Sequence, residues 1–421
     1  MQNICIVVQN VYDFDVRVRR KAEALVAAGY SVDVLALAPV NGKAKYVLDG
    51  VNVHTISLGK KRGSLARYIY EYAAFFIWTF FRVIGLMRHR HFALIDVNTL
   101  PDFLIFAVVP ARWMGAKLLL DMHEITPEFY ASKYGIAQDS WMMRLLQFQE
   151  KISFDCADHV LTINAPIQDL IVNRGLPLTK STVIMNAADE ARFATRVRLP
   201  ASEGNSEIFA MMYHGTLTHI YGLDIAIEAF RIAHKDMPGA ELWILGPGPE
   251  QGALAELARK HGLSSKVKLI GQVPPDEIPA WLNKCTVGVL PIRRDVFLDF
   301  AFPNKLPEFI ITGKPVLMSR LKAIRHYFSE DALAYSEPNN PIDLAEQMIR
   351  LYRDPELRTR LAARAKEEYG PIRWDVMKER YLKAIQSVIG PGRPAPEGSC
   401  IPDKTIHQDE APVEPAARPS L

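Results

Sequence analysis

The chain of 421 residues has few cysteines, and they lie far apart. The four are Cys5, Cys156, Cys285 and Cys400, and no two of them form a C-x-x-C pair. Disulfide frameworks and cysteine-bound zinc need cysteines at characteristic spacing. The sequence therefore predicts neither of them, and a reducing cytosol fits this pattern.

Strong net charge and a secretory leader are also lacking. The formal net charge is +3 at pH 7, which calls for no nucleic-acid partner. The N-terminus opens directly on an apolar strand at residues 4–9, without the layout of a signal peptide. With 49% hydrophobic and 23% charged residues, the composition is that of an ordinary soluble protein, and we expect it in the cytoplasm.

The aromatic segment from Tyr68 to Met87 lacks an uncharged run of membrane-spanning length. Its uncharged part, YAAFFIWTFF at residues 72–81, has ten residues, whereas spanning a bilayer takes about 20. Flanking cations such as Arg82 and Arg88 suit a helix that lies in the interface of an anionic membrane. A core helix of a large α/β domain explains the segment equally well, and the sequence leaves both interpretations open.

Apolar strands alternate with amphipathic helices through a chain that is too long for one core. In the first half, an apolar run at residues 3–8, a helix after Asp15 and a strand at residues 31–37 form a β-α-β unit. Its first turn lacks G-x-G-x-x-G, which disfavours an NAD dehydrogenase. The tripeptide at residues 13–15 resembles the D-x-D metal motif of another transferase fold. It precedes a helix and has no partner ligands, so we predict a capping role and no metal.

A histidine and a glutamate directly follow the apolar stretch at residues 115–121. His123 and Glu124 therefore lie at the C-terminal end of a predicted strand, where an open α/β sheet places its chemistry. An imidazole next to a carboxylate can donate to a leaving oxygen or stabilise positive charge on a sugar ring. A lone histidine is more often structural, but this position favours a catalytic role.

The second half of the chain repeats the pattern after a linker at residues 187–207, which is rich in charged and small residues. Gly215 and Gly246 each follow a predicted strand, and glycine lets backbone N–H groups approach a diphosphate. Two consecutive doubly wound domains place a ligand cleft at their interface.

One segment, residues 302–316, combines a helix start with a cation and a carboxylate. Asn304 is predicted to cap this helix, and Gly313 ends it. Lys305 beside the helix N-terminus suits a phosphate. Glu308, one turn further, can accept hydrogen bonds from two sugar hydroxyls. A nucleotide presents both groups, although a capped amphipathic helix with solvated charges would have the same pattern.

Together these motifs resemble the retaining, GT-B fold glycosyltransferases of family 4, over residues 3–389. The matching segments are D-x-R-V at 15–18, H-E-x-x-P-E at 123–128, V-I-M-N at 183–186, G-T-L at 215–217, L-G-P-G-P at 245–249, G-Q-V-P at 271–274 and F-P-N-K at 302–305. The resemblance implies an α/β protein with two doubly wound, Rossmann-like domains facing across a cleft. We expect these at residues 1–190 and 205–370, a helix at 371–389 that crosses back to the first domain, and a disordered tail at 390–421, where Pro, Ala, Glu and Ser dominate.

The resemblance also implies which residues contact the donor. Lys305 and the backbone of Asn304 hold the diphosphate, Glu308 holds the ribose hydroxyls, and His123 lies near the transferred sugar. The remaining implied contacts are backbone donors at Gly215 and Thr216, the base contact at Val273 and the cleft wall at Gly246.

Two customary phosphate cations of that family are missing here, because Thr216 and Tyr221 occupy their positions. The earlier glutamate of the family's E-x7-E pair is missing as well. The phosphate charge then depends on Lys305, with Arg293 or Arg294.

The implied function is a metal-independent hexosyltransferase that needs no cofactor and transfers a sugar with retention. Its partners would be a nucleotide-diphosphate sugar and a carbohydrate or lipid-linked acceptor, in surface or exopolysaccharide assembly at the inner face of the membrane. Two alternatives stay open, a nucleotide-sugar epimerase of the same fold and a catalytically silent sugar-nucleotide-binding protein. The donor base, the sugar and the linkage are not specified by these motifs.

Overall fold

The computed structural model describes residues 2–39, 42–58, 65–188, 190, 193 and 208–390. These residues form two parallel-sheet α/β domains, which confirms the predicted fold class. Most of the predicted linker and nearly all of the predicted tail lie outside the described residues.

The first domain is built on an eight-stranded sheet. Its strands are β1 (Asn3–Val11), β2 (Ser31–Leu37), β3 (Lys45–Leu48), β4 (Val51–Ile56), β5 (Phe92–Asn98), β6 (Lys117–Asp121), β7 (His159–Thr162) and β8 (Ser181–Val183). They lie in the order β3-β4-β2-β1-β5-β6-β7-β8, and only β3 is antiparallel to its neighbour. The central strand β1 is a continuous apolar run because helices cover both faces of the sheet.

Six helices of the first domain are described. They are α1 (Val16–Ala27), α2 (Leu65–Met87), α3 (Val109–Trp113), α4 (Thr126–Tyr134), α5 (Trp141–Cys156) and α6 (Ala165–Asn173). Helix α1 begins at Asp15, whose carboxylate accepts a hydrogen bond from the N–H of Val18 at 3.1 Å. This confirms the capping role predicted for the second aspartate of the D-x-D motif.

The first domain differs from the sequence prediction in three places. The hairpin of β3 and β4 turns at Asp49 and Gly50, which have φ angles of 49° and 78°. A 3-10 helix over Asp102–Val108 precedes α3, although the sequence pattern predicts one helix over residues 101–114. Within α2, Ile69–Met87 is long and apolar enough to cross a membrane, a property that core helices of soluble proteins share. The ten-residue estimate for this segment was therefore too short.

The second domain is built on a six-stranded parallel sheet. Its strands are β9 (Phe209–His214), β10 (Ala240–Leu245), β11 (Val267–Gly271), β12 (Val287–Leu290), β13 (Val316–Ser319) and β14 (Ala334–Ser336), in the order β11-β10-β9-β12-β13-β14. Its described helices are α7 (Leu223–Ala233), α8 (Gln251–Lys260), α9 (Ile278–Lys284), α10 (Lys305–Ile311), α11 (Lys322–Tyr327), α12 (Pro341–Arg353) and α13 (Pro355–Tyr369).

The last described helix, α14 (Trp374–Ile389), crosses back to the first domain as predicted. Its Trp374 ring lies 5.1 Å from the guanidinium of Arg20 in α1. Further along, the Tyr381 hydroxyl donates to Asp96 at the centre of the first sheet, at 3.1 Å. The two domains are therefore joined by this helix as well as by the chain between their sheets.

Helix α4 and the second domain's residues 295–300 meet directly across the cleft. The Ser132 hydroxyl donates to the Asp295 carboxylate at 2.5 Å. The rings of Phe129 and Phe297 pack edge to face, with centroids 5.4 Å apart. Because α4 follows His123 and Glu124 in the chain, these contacts bring the predicted catalytic pair to the interface.

Candidate active site

One cavity of about 240 Å³ lies between the two domains. His123 and Glu124 line it from the first domain, and Tyr221, Asn304 and Lys305 line it from the second. Ligand sites of α/β proteins lie beyond the carboxyl ends of the parallel strands, and both groups of residues follow such ends. The structure thus brings together four of the site residues that the sequence predicted.

A second cavity, of about 280 Å³, lies within the second domain. It is lined by Gly215, Thr216, Gly246, Val273 and Glu308, all of them predicted donor contacts. The size of each cavity is close to the lower end of the range for small-molecule sites, about 300–1,000 Å³. Every predicted donor residue except Arg293 therefore lines one of these two cavities.

Two glycines allow the loops after β9 and β10 to pack backbone against backbone. Gly215 and Gly246 have φ angles of 126° and 127°, a region that side chains rarely enter. A Cβ atom at Gly246 would lie 2.0 Å from the carbonyl oxygen of Gly215. A Cβ atom at Gly215 would lie 2.1 Å from Cε of Lys305, so the lysine stem crosses this glycine.

The backbone donors of the glycine loops differ from the prediction. The Gly215 N–H donates to the carbonyl oxygen of Leu245 at 2.9 Å, and the Gly246 N–H donates to Gly271 at 2.7 Å. Both groups thus extend the hydrogen bonding of the sheet. The N–H of Thr216 has no acceptor among the described residues, so it is the one of the two predicted donors that a ligand can engage.

The ammonium group of Lys305 lies over two aromatic rings. Its Nζ is 4.2 Å from the ring centroid of Tyr221 and 5.4 Å from that of Tyr213, within the range of cation–π attraction. Burial lowers the pKa of Lys305 to about 8, although Glu308 acts in the opposite direction. The lysine is therefore mainly protonated at neutral pH. Tyr221, at the position of a missing family cation, supports the cation that remains.

A histidine that sequence reasoning missed accompanies Glu308. Nε2 of His214 lies 3.3 Å from a Glu308 carboxylate oxygen. Burial, together with the charge of Lys305, lowers the pKa of His214 to about 3, so this imidazole is neutral. The sequence feature that could have identified His214 is its position at the end of β9, directly before Gly215. The neutral ring lies beside the Glu308 carboxylate without adding a charge near the phosphate.

Two residues of the second domain are not placed as predicted. Arg293 donates to the Asp224 carboxylate at 2.5 Å and to the carbonyl oxygen of His219 at 3.1 Å, and it is not among the residues that line either cavity. Asn304 lines the inter-domain cavity but makes no side-chain capping hydrogen bond to α10, because its backbone is already helical.

His123 is held by groups from the neighbouring strand ends. Its backbone N–H donates to the Thr99 hydroxyl at 3.1 Å, and its Nε2 lies 3.1 Å from Oδ1 of Asn98. A carboxylate oxygen of Asp121 lies 3.6 Å from the same Nε2. The ring is 20% exposed. Sequence reasoning missed Asn98 and Asp121, although polar residues ending two apolar strands were a usable signal.

Glu124 is adapted to titrate near neutral pH. Burial raises its pKa to about 7; Lys133 opposes this shift and Asp102 adds to it. A carboxyl group with such a pKa can exchange a proton in either direction at physiological pH.

Two family models match the chain one after the other. Glycosyl transferase 4-like domain matches residues 15–187, and Glycosyl transferases group 1 matches residues 209–354. Each model corresponds to one of the two sheets, and together they cover more than half of the chain.

Curated proteins match over shorter stretches. Glycogen synthase of Mycobacterium tuberculosis is 27% identical over 233 residues, which is 55% of this chain and 51% of that protein. Amylovoran biosynthesis glycosyltransferase AmsK of Erwinia amylovora is 26% identical over 213 residues, which is 50% of this chain and 51% of that protein. The chain thus spans about half the length of the curated relatives it matches.

Solved structures match over nearly the whole chain. Sucrose-phosphate synthase from Thermosynechococcus elongatus superposes with a TM-score of 0.72 at 17% identity, covering 92% of this chain and 99% of that one. Anabaena HepE in complex with UDP-glucose superposes with a TM-score of 0.66 at 15% identity, covering 92% and 100%. These similarities show the fold. With a glycosyltransferase family model on each of its two domains, the chain belongs to the GT-B glycosyltransferases of the 4-like and group 1 families.

Proposed function

We propose that the protein transfers a hexosyl group from a nucleotide-diphosphate sugar to a hydroxyl acceptor, with retention and without a metal ion. The observation that carries this proposal is the inter-domain cavity. There His123 and Glu124 of one domain face Lys305 of the other. A sugar between them would have its leaving diphosphate on the lysine side and its ring on the histidine side. Both family models describe glycosyl transferases, so an epimerase or a silent binding protein is not favoured.

On the donor side, negative charge grows on the diphosphate as the bond to the sugar breaks. The ammonium group of Lys305 and the N–H of Thr216, which has no acceptor within the described part of the chain, are fixed before the reaction starts, so they would stabilise this charge without reorganising. Glu308 beside neutral His214 would accept the ribose hydroxyls, and Val273 would lie against the base.

On the acceptor side, positive charge develops on the sugar ring. An ionised Glu124 would stabilise that charge across the small cavity, and His123 would form a hydrogen bond to a hydroxyl of the reacting sugar. The incoming hydroxyl would attack from the face that the leaving group vacates and would pass its proton to the departing diphosphate oxygen, which gives retention. Closure of the domains would exclude water and limit donor hydrolysis.

The matched proteins support a proposal for the donor and the pathway. Anabaena HepE was solved with UDP-glucose, so a uridine diphosphate sugar is the first donor to test. AmsK is named for amylovoran biosynthesis, and we place this protein likewise in surface or exopolysaccharide assembly with a lipid-linked acceptor.

We also propose a cytoplasmic protein that binds the inner face of the membrane peripherally, through α2. This helix exposes large apolar side chains: Ile77 is 55% exposed and Phe81 is 67% exposed. They are four residues apart and therefore share one helix face. Such a face fits the interfacial region of a bilayer.

Flotation with vesicles that contain phosphatidylglycerol tests the membrane part. We expect the wild type to float with the vesicles and the double variant Ile77→Glu/Phe81→Glu to stay behind. Ile342→Glu is the matched control, because Ile342 is 61% exposed on the second domain. A wild type that does not float contradicts peripheral binding, while the transferase proposal is unaffected.

The transferase part is tested by incubating the protein with UDP-, GDP- and other nucleotide sugars. Donors that bind the folded protein are first found by their effect on the melting temperature. Release of the nucleotide diphosphate and sugar transfer to a lipid-linked acceptor are then followed, with and without EDTA. We expect transfer that EDTA does not change and an anomeric configuration that matches the donor. Binding without turnover with every donor and acceptor would refute the enzyme.

A further inference from the structure

A fully buried lysine lies behind His123 in the first domain. The Nζ of Lys21 donates to three acceptors, Oδ2 of Asp96 at 2.8 Å, Oδ1 of Asn98 at 2.8 Å and Oδ2 of Asp121 at 2.5 Å. An ammonium group has three protons, so all of its donor capacity is used. Burying such charges is a weak source of stability, because desolvation offsets the attraction. What the lysine does achieve is a fixed geometry next to His123.

The amide of Asn98 has one allowed orientation in this cluster. Its Nδ2 donates to the carbonyl oxygen of Val7 at 3.3 Å and to Oδ1 of Asp96 at 3.2 Å. Its Oδ1 therefore faces Lys21 and His123. Because an amide oxygen only accepts hydrogen bonds, the nearby Nε2 of His123 must carry a proton. The neutral imidazole then has its lone pair on Nδ1.

The helix that returns from the second domain completes the cluster. The Tyr381 hydroxyl donates to the Asp96 carboxylate at 3.1 Å, and the Tyr381 ring centroid lies 5.5 Å from Nζ of Lys21. Burial raises the pKa of Asp96, while Lys21 and the tyrosine hydroxyl oppose that shift. The hydroxyl thus helps to keep Asp96 charged and Lys21 in place.

We propose that Lys21, Asn98 and Tyr381 are positioning residues that hold His123 as its Nε2–H tautomer and direct the Nδ1 lone pair to the substrate. In this arrangement Nδ1 accepts a hydrogen bond from a hydroxyl group in the cleft. Since Tyr381 lies on α14, the orientation of the catalytic ring depends on correct docking of the helix that leaves the second domain. The substrate contact rests on the proposed transferase function, whereas the tautomer does not.

The tautomer is measured by NMR on protein labelled with 15N-histidine. Spectra are recorded at a pH of about 9, well above the ordinary imidazole pKa of about 6.5. The signal of His123 is assigned as the one that disappears in His123→Gln. We expect the protonated nitrogen to be Nε2 in the wild type. A proton on Nδ1 overturns the proposal, and this result needs no enzymatic activity.

The role of the positioning residues is measured with Tyr381→Phe, which removes one hydroxyl and leaves the ring in place. Tyr369→Phe is the matched control. It also removes a hydroxyl that bonds to the first domain, here one that accepts from the N–H of Ala188 at 3.1 Å, but it has no link to His123. We expect Tyr381→Phe to lower kcat roughly tenfold, as when groups that orient a functional histidine are lost. It should leave the donor KM unchanged and broaden or shift the His123 signal.

The control should keep its kcat and its His123 signal even if its melting temperature falls as far. Equal kcat values and equal His123 spectra in the two variants would mean that Tyr381 acts only in folding, which overturns its positioning role. If the wild type transfers no sugar at all, the proposed function fails, but the histidine spectra still decide the tautomer and its dependence on Tyr381.

Discussion

The two sides of the cleft are built in different ways. The donor side uses short stretches of chain: two glycine loops and a helix that begins at Lys305 and carries Glu308 three residues later. The acceptor side uses one histidine that distant residues hold in place, with Tyr381 lying 285 residues from its partner Asp96. The comparison teaches that a phosphate site can be made from local backbone geometry, whereas an oriented imidazole needs side chains from across the fold.

The two sides also differ in how burial changes their charges. On the donor side burial lowers the pKa of His214 to about 3, and that of Lys305 only to about 8. Of these two groups, only Lys305 is therefore a cation at neutral pH. On the acceptor side burial raises the pKa of Glu124 to about 7. Below about pH 7, changes of pH should therefore act mainly through Glu124 of the first domain, whereas Lys305 begins to lose its proton toward pH 8.

The largest effect should come from removing the acceptor-side imidazole. His123→Ala is expected to lower kcat by about 100-fold, as when one preorganised hydrogen-bonding group at the transition state is lost. Donor affinity, measured by calorimetry, should hardly change, since the diphosphate contacts lie on the other domain. His159→Ala is the control: His159 bonds to Thr182 in the same sheet and does not line the cavity. A His123→Ala enzyme with wild-type kcat would contradict the proposal that the first domain acts on the reacting sugar.

The next largest effect should come from the donor-side cation. Lys305→Ala should lower kcat/KM for the donor by about 100-fold, as for the loss of one fixed transition-state donor. Lys314, just beyond the end of the same helix, donates to the carbonyl oxygen of Asn283 and provides the control Lys314→Ala. Steady-state kinetics of both variants measure the effect. Unchanged kinetics for Lys305→Ala would remove this lysine from the site.

A single methyl group on a glycine loop should disturb donor binding. Gly215→Ala would place its Cβ 2.1 Å from Cε of Lys305 at a φ angle of 126°. The lysine must move, so we expect about tenfold weaker donor binding and a loss of about 1–2 kcal/mol in the free energy of unfolding. Gly252→Ala is the control, because its Cβ would meet nothing within 4 Å. Denaturant unfolding measures the stability of both variants, and donor titration measures their affinity. Equal values for Gly215→Ala and Gly252→Ala would contradict the packing argument.

Comparing the pH profiles of the wild type and Glu124→Gln isolates the contribution of the acceptor side, because both enzymes keep Lys305. The raised pKa of about 7 means that Glu124 is mostly neutral at pH 6 and mostly ionised at pH 8. If the carboxylate stabilises the sugar cation, kcat should rise about fivefold between pH 6 and pH 7, below the range in which Lys305, with a pKa of about 8, loses its proton. Glu124→Gln should be slower and should lose this rise.

The pH dependence of stability at Glu124 has the opposite sign. A raised folded-state pKa favours the protonated fold, so the wild type should lose stability relative to Glu124→Gln as pH rises from about 4.5 through 7. If the wild type and Glu124→Gln had identical pH profiles of kcat and of the free energy of unfolding, both expectations would be contradicted.

The smallest effect should come from the ribose contact. Glu308→Gln keeps the size of the side chain and one acceptor oxygen, so the donor KM should rise only about fivefold, with kcat unchanged. Glu256→Gln, an exposed change on α8, serves as the control. An unaltered KM for Glu308→Gln argues against contact with the ribose.

Local sequence patterns predicted much of this protein's secondary structure. Alternating apolar strands and amphipathic helices indicated both sheets, and the F-P-N-K segment indicated the helix that begins at Lys305. The Asp49-Gly50 dipeptide was a usable signal for the hairpin of β3 and β4, because both residues accept the left-handed conformation that its turn requires. Asn304 shows the limit of such reasoning, since a capping residue type does not cap when its own backbone is helical.

The amino-acid sequence by itself determined the two-domain fold and indicated the residues that we propose to meet the donor, because apolar periodicity and glycine conformation act within a few residues of chain. Only the tertiary structure decided how the catalytic imidazole is held. Lys21 and Asp96 are 75 residues apart in the chain, and they meet only when α1 packs on β5. A buried polar side chain on an apolar strand stabilises the fold only if it faces a hydrogen-bond partner, and it destabilises the fold otherwise. Only the folded chain specifies which groups face each other.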